Sequence, residues 1–139
     1  MTAYVKNARN YEAFRITSDA TNRLAIICDG KGEGTDFISC VEIFDEGGAQ
    51  PPNLHHGADE FFFVLSGEGH CEVDKEQRNL TPGSSILIKP GAEHVIRNTG
   101  KGRMYLLCIM APDEDFSELI RSGVPAELDA EDLAVLEGV

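Results

Sequence analysis

The sequence predicts an all-β fold, an antiparallel barrel or sandwich followed by short helices. Three observations carry this. Between positions 24 and 110, short runs rich in β-branched and aromatic residues recur. Turn residues (Gly, Asp, Ser, Pro) separate the runs at regular spacing. After Pro112 the apolar residues change to helical spacing.

Each element follows from its residues. Residues 24–28 form a first strand, and 29–34 a loop of glycine and charge. Residues 37–44, Phe-Ile-Ser-Cys-Val-Glu-Ile-Phe, are a second strand, ended by Asp45-Glu46-Gly47-Gly48. Residues 60–65 are a nearly continuous apolar run, and Ser66-Gly67-Glu68-Gly69 reads as a hairpin turn. Residues 70–73, 86–88, 95–97 and 104–110 supply further strands, so roughly six to eight are expected. Pro112-Asp113 starts a helix in which Phe116, Leu119 and Ile120 share one face, and Gly123 with Pro125 stops it. That face should be buried against the barrel or a second chain. Asp129 caps a second helix carrying Leu133 and Leu136. The 139 residues fit one domain, with the barrel at about 24–110 and a helical extension at about 112–139.

Composition limits the function. The formal charge is −12, and from Pro112 onward nine acids face a single base, Arg121. Such a chain is a poor partner for nucleic acid or an anionic membrane, both of which demand Lys and Arg. Cys28, Cys40, Cys71 and Cys108 are widely spaced among strand residues with no C-x-x-C pair, which suits free thiols in a reducing compartment. The start lacks an apolar core of signal-peptide length. The expectation is a soluble, cytoplasmic protein.

The chemistry-bearing residues fall in two segments. In the first, Asn53 and His55 are two apart and point to one face of an extended chain, and Glu60 opens the next strand. In the second, His94 begins a strand just after the turn at Pro90-Gly91. Two imidazoles and a carboxylate converging in a barrel suit a divalent transition metal with positions left open. His56, paired with Leu54, offers a rival alignment, and His70 on an inward face would be another nitrogen ligand. Alternation sends Phe62 and Val64 to the same side as Glu60, facing a bound substrate. Arg97 and Asn98 read as a surface charge and a turn amide.

These two segments resemble the paired motifs of the cupin superfamily. Five residues separate Gly47 from Asn53, four separate His55 from Glu60, and six separate Glu60 from Gly67. Gly83, Gly91, His94 and Asn98 match the second motif, with Lys89 in the usual proline position and Pro90 beside it. The tail is similar to the helical extension of quercetinase-like single-domain members. The resemblance implies a jelly-roll barrel, a homodimer, and a site binding Fe, Mn, Co, Ni or Zn. Asn53 occupies the place of the family's first metal histidine. The ligands are therefore Asn53, His55, Glu60 and His94, or the last three with Asn53 behind them. The resemblance further implies a small-molecule enzyme, first a non-haem iron dioxygenase with Glu60 as ligand or released base. A metal-dependent isomerase or lyase comes second, and a non-catalytic sensor third.

Overall fold

A computed structural model describes residues 2–138; Val139, the end of the expected helical extension, lies outside them. The described strands, in chain order, are β1 (Glu12–Arg15), β2 (Asn22–Cys28), β3 (Ile38–Phe44), β4 (Asp59–Ser66) and β5 (Gly69–Val73). They continue as β6 (Glu76–Leu80), β7 (Ser85–Ile88), β8 (His94–Asn98), β9 (Met104–Ala111) and β10 (Val124–Ala126). One sheet runs β10-β1-β2-β3-β9-β4-β7 and the other β6-β5-β8, with every described pairing antiparallel. Both contribute to one apolar core, in which Leu24, Phe44, Phe62 and Leu106 meet Cys71, Leu80 and Ile96. This is the all-β, antiparallel jelly-roll barrel with short helices that the sequence implied.

The two faces of β3 explain its unbroken burial. Ile38, Cys40 and Phe44 enter the barrel core. Val41 and Ile43 face outward, where Val135 and Leu136 of α3 (Ala130–Glu137) cover them. Asp129 caps α3 by accepting from Asp132 N–H at 3.0 Å, as expected. Asp132 is fully buried and accepts from Arg23, Tyr105 and Arg103, tying the tail to β2 and β9.

Several expectations need correction. Ten strands are present among the described residues, more than six to eight. The sheet also reaches beyond 24–110, because β1 and β10 extend it. β1 pairs with β2 on one side and β10 on the other. The turn at 66–69 is no hairpin: β4 pairs with β7 and β9 while β5 pairs with β6 and β8. It carries the chain from one sheet to the other. Gly67 has φ +89, and a Cβ there would lie 2.7 Å from Arg103 O, so only glycine fits the crossing. Residues 30–33 wind into a single helical turn, α1 (Gly30–Glu33), capped by the Asp29 carboxylate. The next helix, α2 (Phe116–Arg121), starts later than Pro112-Asp113. Asp113 instead accepts from Ser117 N–H at 2.8 Å and closes its first turn. On α2 Ile120 is fully buried, Phe116 half-buried, and Leu119 exposed. No described helix is long and apolar enough to cross a membrane.

Candidate metal centre

The connection from β3 to β4 behaves as an extra strand beside β8. Gln50 N–H donates to Ile96 O, Asn98 N–H donates to Gly48 O, and Asn53 and His94 exchange both backbone hydrogen bonds. The turn before β8 is fixed by Gly91, at φ +87, whose N–H donates to His55 O at 2.7 Å. One short turn therefore positions both histidine segments. Glu60 meets them from the start of β4, buried and inward-facing.

The three side chains converge. His55 Nε2 is 3.1 Å and His94 Nε2 2.9 Å from the same oxygen, Glu60 Oε1. All three donor atoms lie within 4.8 Å of one another. Ligands each about 2.1 Å from a shared ion stand roughly 3–3.5 Å apart, so this spacing fits a transition metal. His94 is 1% exposed. Its Nδ1 lies 3.3 Å from Ala92 O, and donation there leaves the Nε2 lone pair facing the carboxylate. That Nε2 is buried and makes no aligned hydrogen bond, and Asn53 Oδ1 is likewise buried without a partner. Unpartnered buried acceptors beside a carboxylate are what an ion would satisfy.

Electrostatics agree with a ligand role. Burial alone would raise the Glu60 pKa, but the hydrogen bond from His55 and the close approach and charge of both imidazoles overcome this and hold it at about 2. Glu60 in turn raises the pKa of His55, chiefly through their hydrogen bond. Cys108 donates its thiol to Glu60 Oε2 at 3.3 Å, orienting the carboxylate from behind.

A cavity of about 340 Å³ opens beside this cluster. Asn22, Glu42, Gln50, Asn53, His55 and Glu60 provide its polar wall, and Ile16, Leu24, Leu54, Phe116 and Leu119 its apolar side. Phe62 and Val64 do point inward, but both are packed in the core rather than on this wall. His56 is exposed and outside the cluster. His70 alternates with the core residue Cys71 along β5 and faces away from the barrel interior. Arg97 is exposed, and Asn98 is a buried turn amide, donating to Asp45 O and Gly102 O.

Sequence reasoning missed Glu42. It sits in the middle of β3 on the inward side, buried, and accepts from Asn22 Nδ2 at 2.6 Å and Gln50 Nε2 at 3.0 Å. Burial, then repulsion from Glu60, push its pKa up to about 7 against the pull of those two amides. The available signal was a lone acid in step with Cys40 and Phe44 within an otherwise apolar strand.

Comparison with known proteins bears on this arrangement. The model of the cupin domain matches residues 40–110, just over half of the chain. The chain belongs to the cupin family. This cupin is 26% identical over 101 residues to the dimethylsulfoniopropionate lyase DddQ of Ruegeria pomeroyi, covering 70% of this chain and 50% of that protein. An uncharacterized protein of Aquifex aeolicus is 33% identical over 73 residues, covering 52% of this chain and 60% of its own length. The chain thus spans only about half the length of such curated relatives. Among solved structures, a predicted oxalate decarboxylase of Thermotoga maritima superposes with TM-score 0.69 at 17% identity, covering 79% of this chain and 99% of that one. That likeness shows the fold alone.

Proposed function

We propose that this cupin is a metal-dependent enzyme acting on a small, oxygen-bearing molecule in the cavity beside His55, Glu60 and His94. The observation that carries the reading is the convergence of two imidazole nitrogens and one carboxylate oxygen within 4.8 Å. A divalent transition ion (Fe, Mn, Ni or Zn) held there would supply Lewis-acid polarisation of a substrate oxygen and, if iron, a place for dioxygen. Glu60, held ionised, serves as a ligand and not as the proton acceptor. Asn53 completes the polar wall with its unpaired amide oxygen. The apolar side, with Leu119 at its exposed end, strips water from the substrate.

The reaction class favoured first is an isomerase or lyase. Glu42, a second carboxyl on the cavity wall, suits proton transfer, and an amide, Asn53, stands in the place of the family's first metal histidine. The relative named as a lyase supports the same class. A non-haem iron dioxygenase is the second reading, favoured by the two-His, one-carboxylate donor set. Metal-reconstituted protein screened against enolisable hydroxy- and keto-compounds, with an oxygen electrode, separates them. Turnover without oxygen uptake supports the first reading, and stoichiometric uptake the second. A bound ligand with no turnover would make the protein a binding module instead.

Its partner in assembly is a second copy of the chain. Phe63, Leu65, Leu87 and Ile109 are exposed on the outward face of β4, β7 and β9, with β7 at the sheet edge. A chain of charge −12 repels its copies, so association must be driven by an uncharged face, and a two-fold pairing covers both copies of this one. The four free thiols support a reducing, cytoplasmic setting.

A further inference from the structure

The proton chemistry of the cavity needs a base, and Glu60 is poorly placed to be one. Its Oε1 faces His55 and His94, its Oε2 accepts from Cys108, and it stays ionised. Glu42 is in the opposite situation. It lines the same cavity, and no side chain of Lys or Arg hydrogen-bonds to it among the described residues. Its orientation is also fixed. Gln50 Oε1 accepts from Ile96 N–H at 3.0 Å, which forces the Gln50 amide to present its NH₂ to Glu42.

We propose that Glu42 is the general base and acid of the pocket, taking a proton from a carbon next to a substrate carbonyl and later returning it. This rests on the reading of the site as a metal-dependent enzyme. In the step, the substrate C–H bond breaks, its proton goes to the Glu42 carboxylate, and its electron pair stays on the substrate, delocalised onto the carbonyl oxygen. Glu42 is then a neutral acid. In an isomerisation of an α-hydroxy carbonyl, the hydroxyl proton passes to the former carbonyl oxygen, Glu42 returns its proton to the former carbonyl carbon, and hydroxyl and carbonyl have exchanged places. In an elimination the electron pair expels a leaving group from the next carbon, and Glu42 releases its proton to that group or to water. The substrate class is a small α-hydroxy or α-keto carbonyl compound of the size the 340 Å³ cavity admits.

The groups facing Glu42 define its titration. Glu60 on β4 repels the ionised form, His94 on β8 favours it, and Asn22 on β2 and Gln50 donate to it. Cys108 on β9 lies close enough to feel its charge. With burial these place the carboxyl near neutrality, where one group can accept and donate a proton. A bound divalent ion would lower the value.

The test uses hydroxyacetone in heavy water with manganese-loaded protein, following exchange at carbon by proton NMR. Glu42→Gln should slow exchange at least about 100-fold, the usual scale of general acid–base catalysis, with metal content unchanged. Wild type should show a rate that rises with pH to a plateau at or below about 7, a limb absent in Glu42→Gln. Glu42→Asp should recover part of the rate. Wild-type rate and pH profile in Glu42→Gln would overturn the proposal. Infrared spectra of the metal-free protein supply a second reading that needs no turnover. A buried protonated-carboxyl band that fades through neutral pH in wild type and is missing in Glu42→Gln supports Glu42. Absence of that band in wild type overturns it. A wild type that shows the band, loads metal and exchanges nothing contradicts the enzyme reading, and Glu42 then keeps only its proton-binding site.

Discussion

Asn53 and His94 exchange both backbone hydrogen bonds, at 3.0 and 2.9 Å, across an antiparallel bridge. Residues paired this way project their side chains to the same face. The register therefore holds position 53 beside the cluster of His55, Glu60 and His94, whichever side chain it carries. Asn53→His should add an imidazole and tighten metal binding, since imidazole outranks an amide for first-row metals. Asn53→Ala should weaken it by about tenfold or less, because three ligands remain. Isothermal titration with Mn(II) checks both, and equal affinity in all three proteins would exclude Asn53 as a ligand.

Metal binding should also release protons. The hydrogen bond with Glu60 raises the His55 pKa, so metal-free His55 keeps its proton to higher pH than a free imidazole. Coordination requires the neutral ring. Affinity should therefore fall as pH drops below neutrality, and titrations in buffers of different ionisation enthalpy should show proton release. Affinity flat between pH 5.5 and 7.5 would contradict the assignment of His55.

The tail lock is a stability prediction. Asp132 is fully buried against Arg23, at 2.6 Å, and Tyr105, at 2.7 Å. Removing one partner of a buried ion pair strands the other, so Asp132→Ala should cost about 3–5 kcal/mol in urea unfolding. Burial opposes ionisation of Asp132, but the bonds from Arg23 and Tyr105 win and lower its pKa. Its contribution is present above the unfolded-state value and is lost as pH falls through the folded one. The variant should thus lose less stability than wild type between pH 5 and 3. A cost under about 1 kcal/mol would show that the network does not hold α3.

Self-association is tested at Leu87, 60% exposed on the outward face of edge strand β7. Light scattering should give a dimer for wild type and a monomer for Leu87→Glu, with unchanged metal content. A monomeric wild type at all concentrations would remove the second-copy assignment.

The sequence made some parts of this molecule plain and hid others for physical reasons. β3 and β4 announced themselves through apolar, β-branched residues. β6 did not, because Glu76, Gln77, Arg78 and Asn79 are all exposed. Its hairpin turns through Asp74 and Lys75, both at positive φ, without the glycine that usually marks such a turn. β1 and β10 are short and gain their place from pairing with distant chain. In the site, histidine is rare enough, with four in the chain, for the spacing to speak. Glu42 is one of 24 acids, and only folding shows that it alone on β3 brings a carboxyl into the barrel. Phe62 and Val64 point as alternation demands, yet packing from both sheets, not direction, decided that they line the core.

The most direct test of the metal centre is equilibrium dialysis of the metal-free chain against Mn(II), Ni(II) and Zn(II), followed by elemental analysis. Wild type should retain one ion per chain. Glu60→Gln and His94→Ala should each lose at least about 100-fold in affinity while keeping wild-type circular dichroism. Wild type retaining no ion, or all three proteins retaining it equally, would contradict a metal centre at His55, Glu60 and His94.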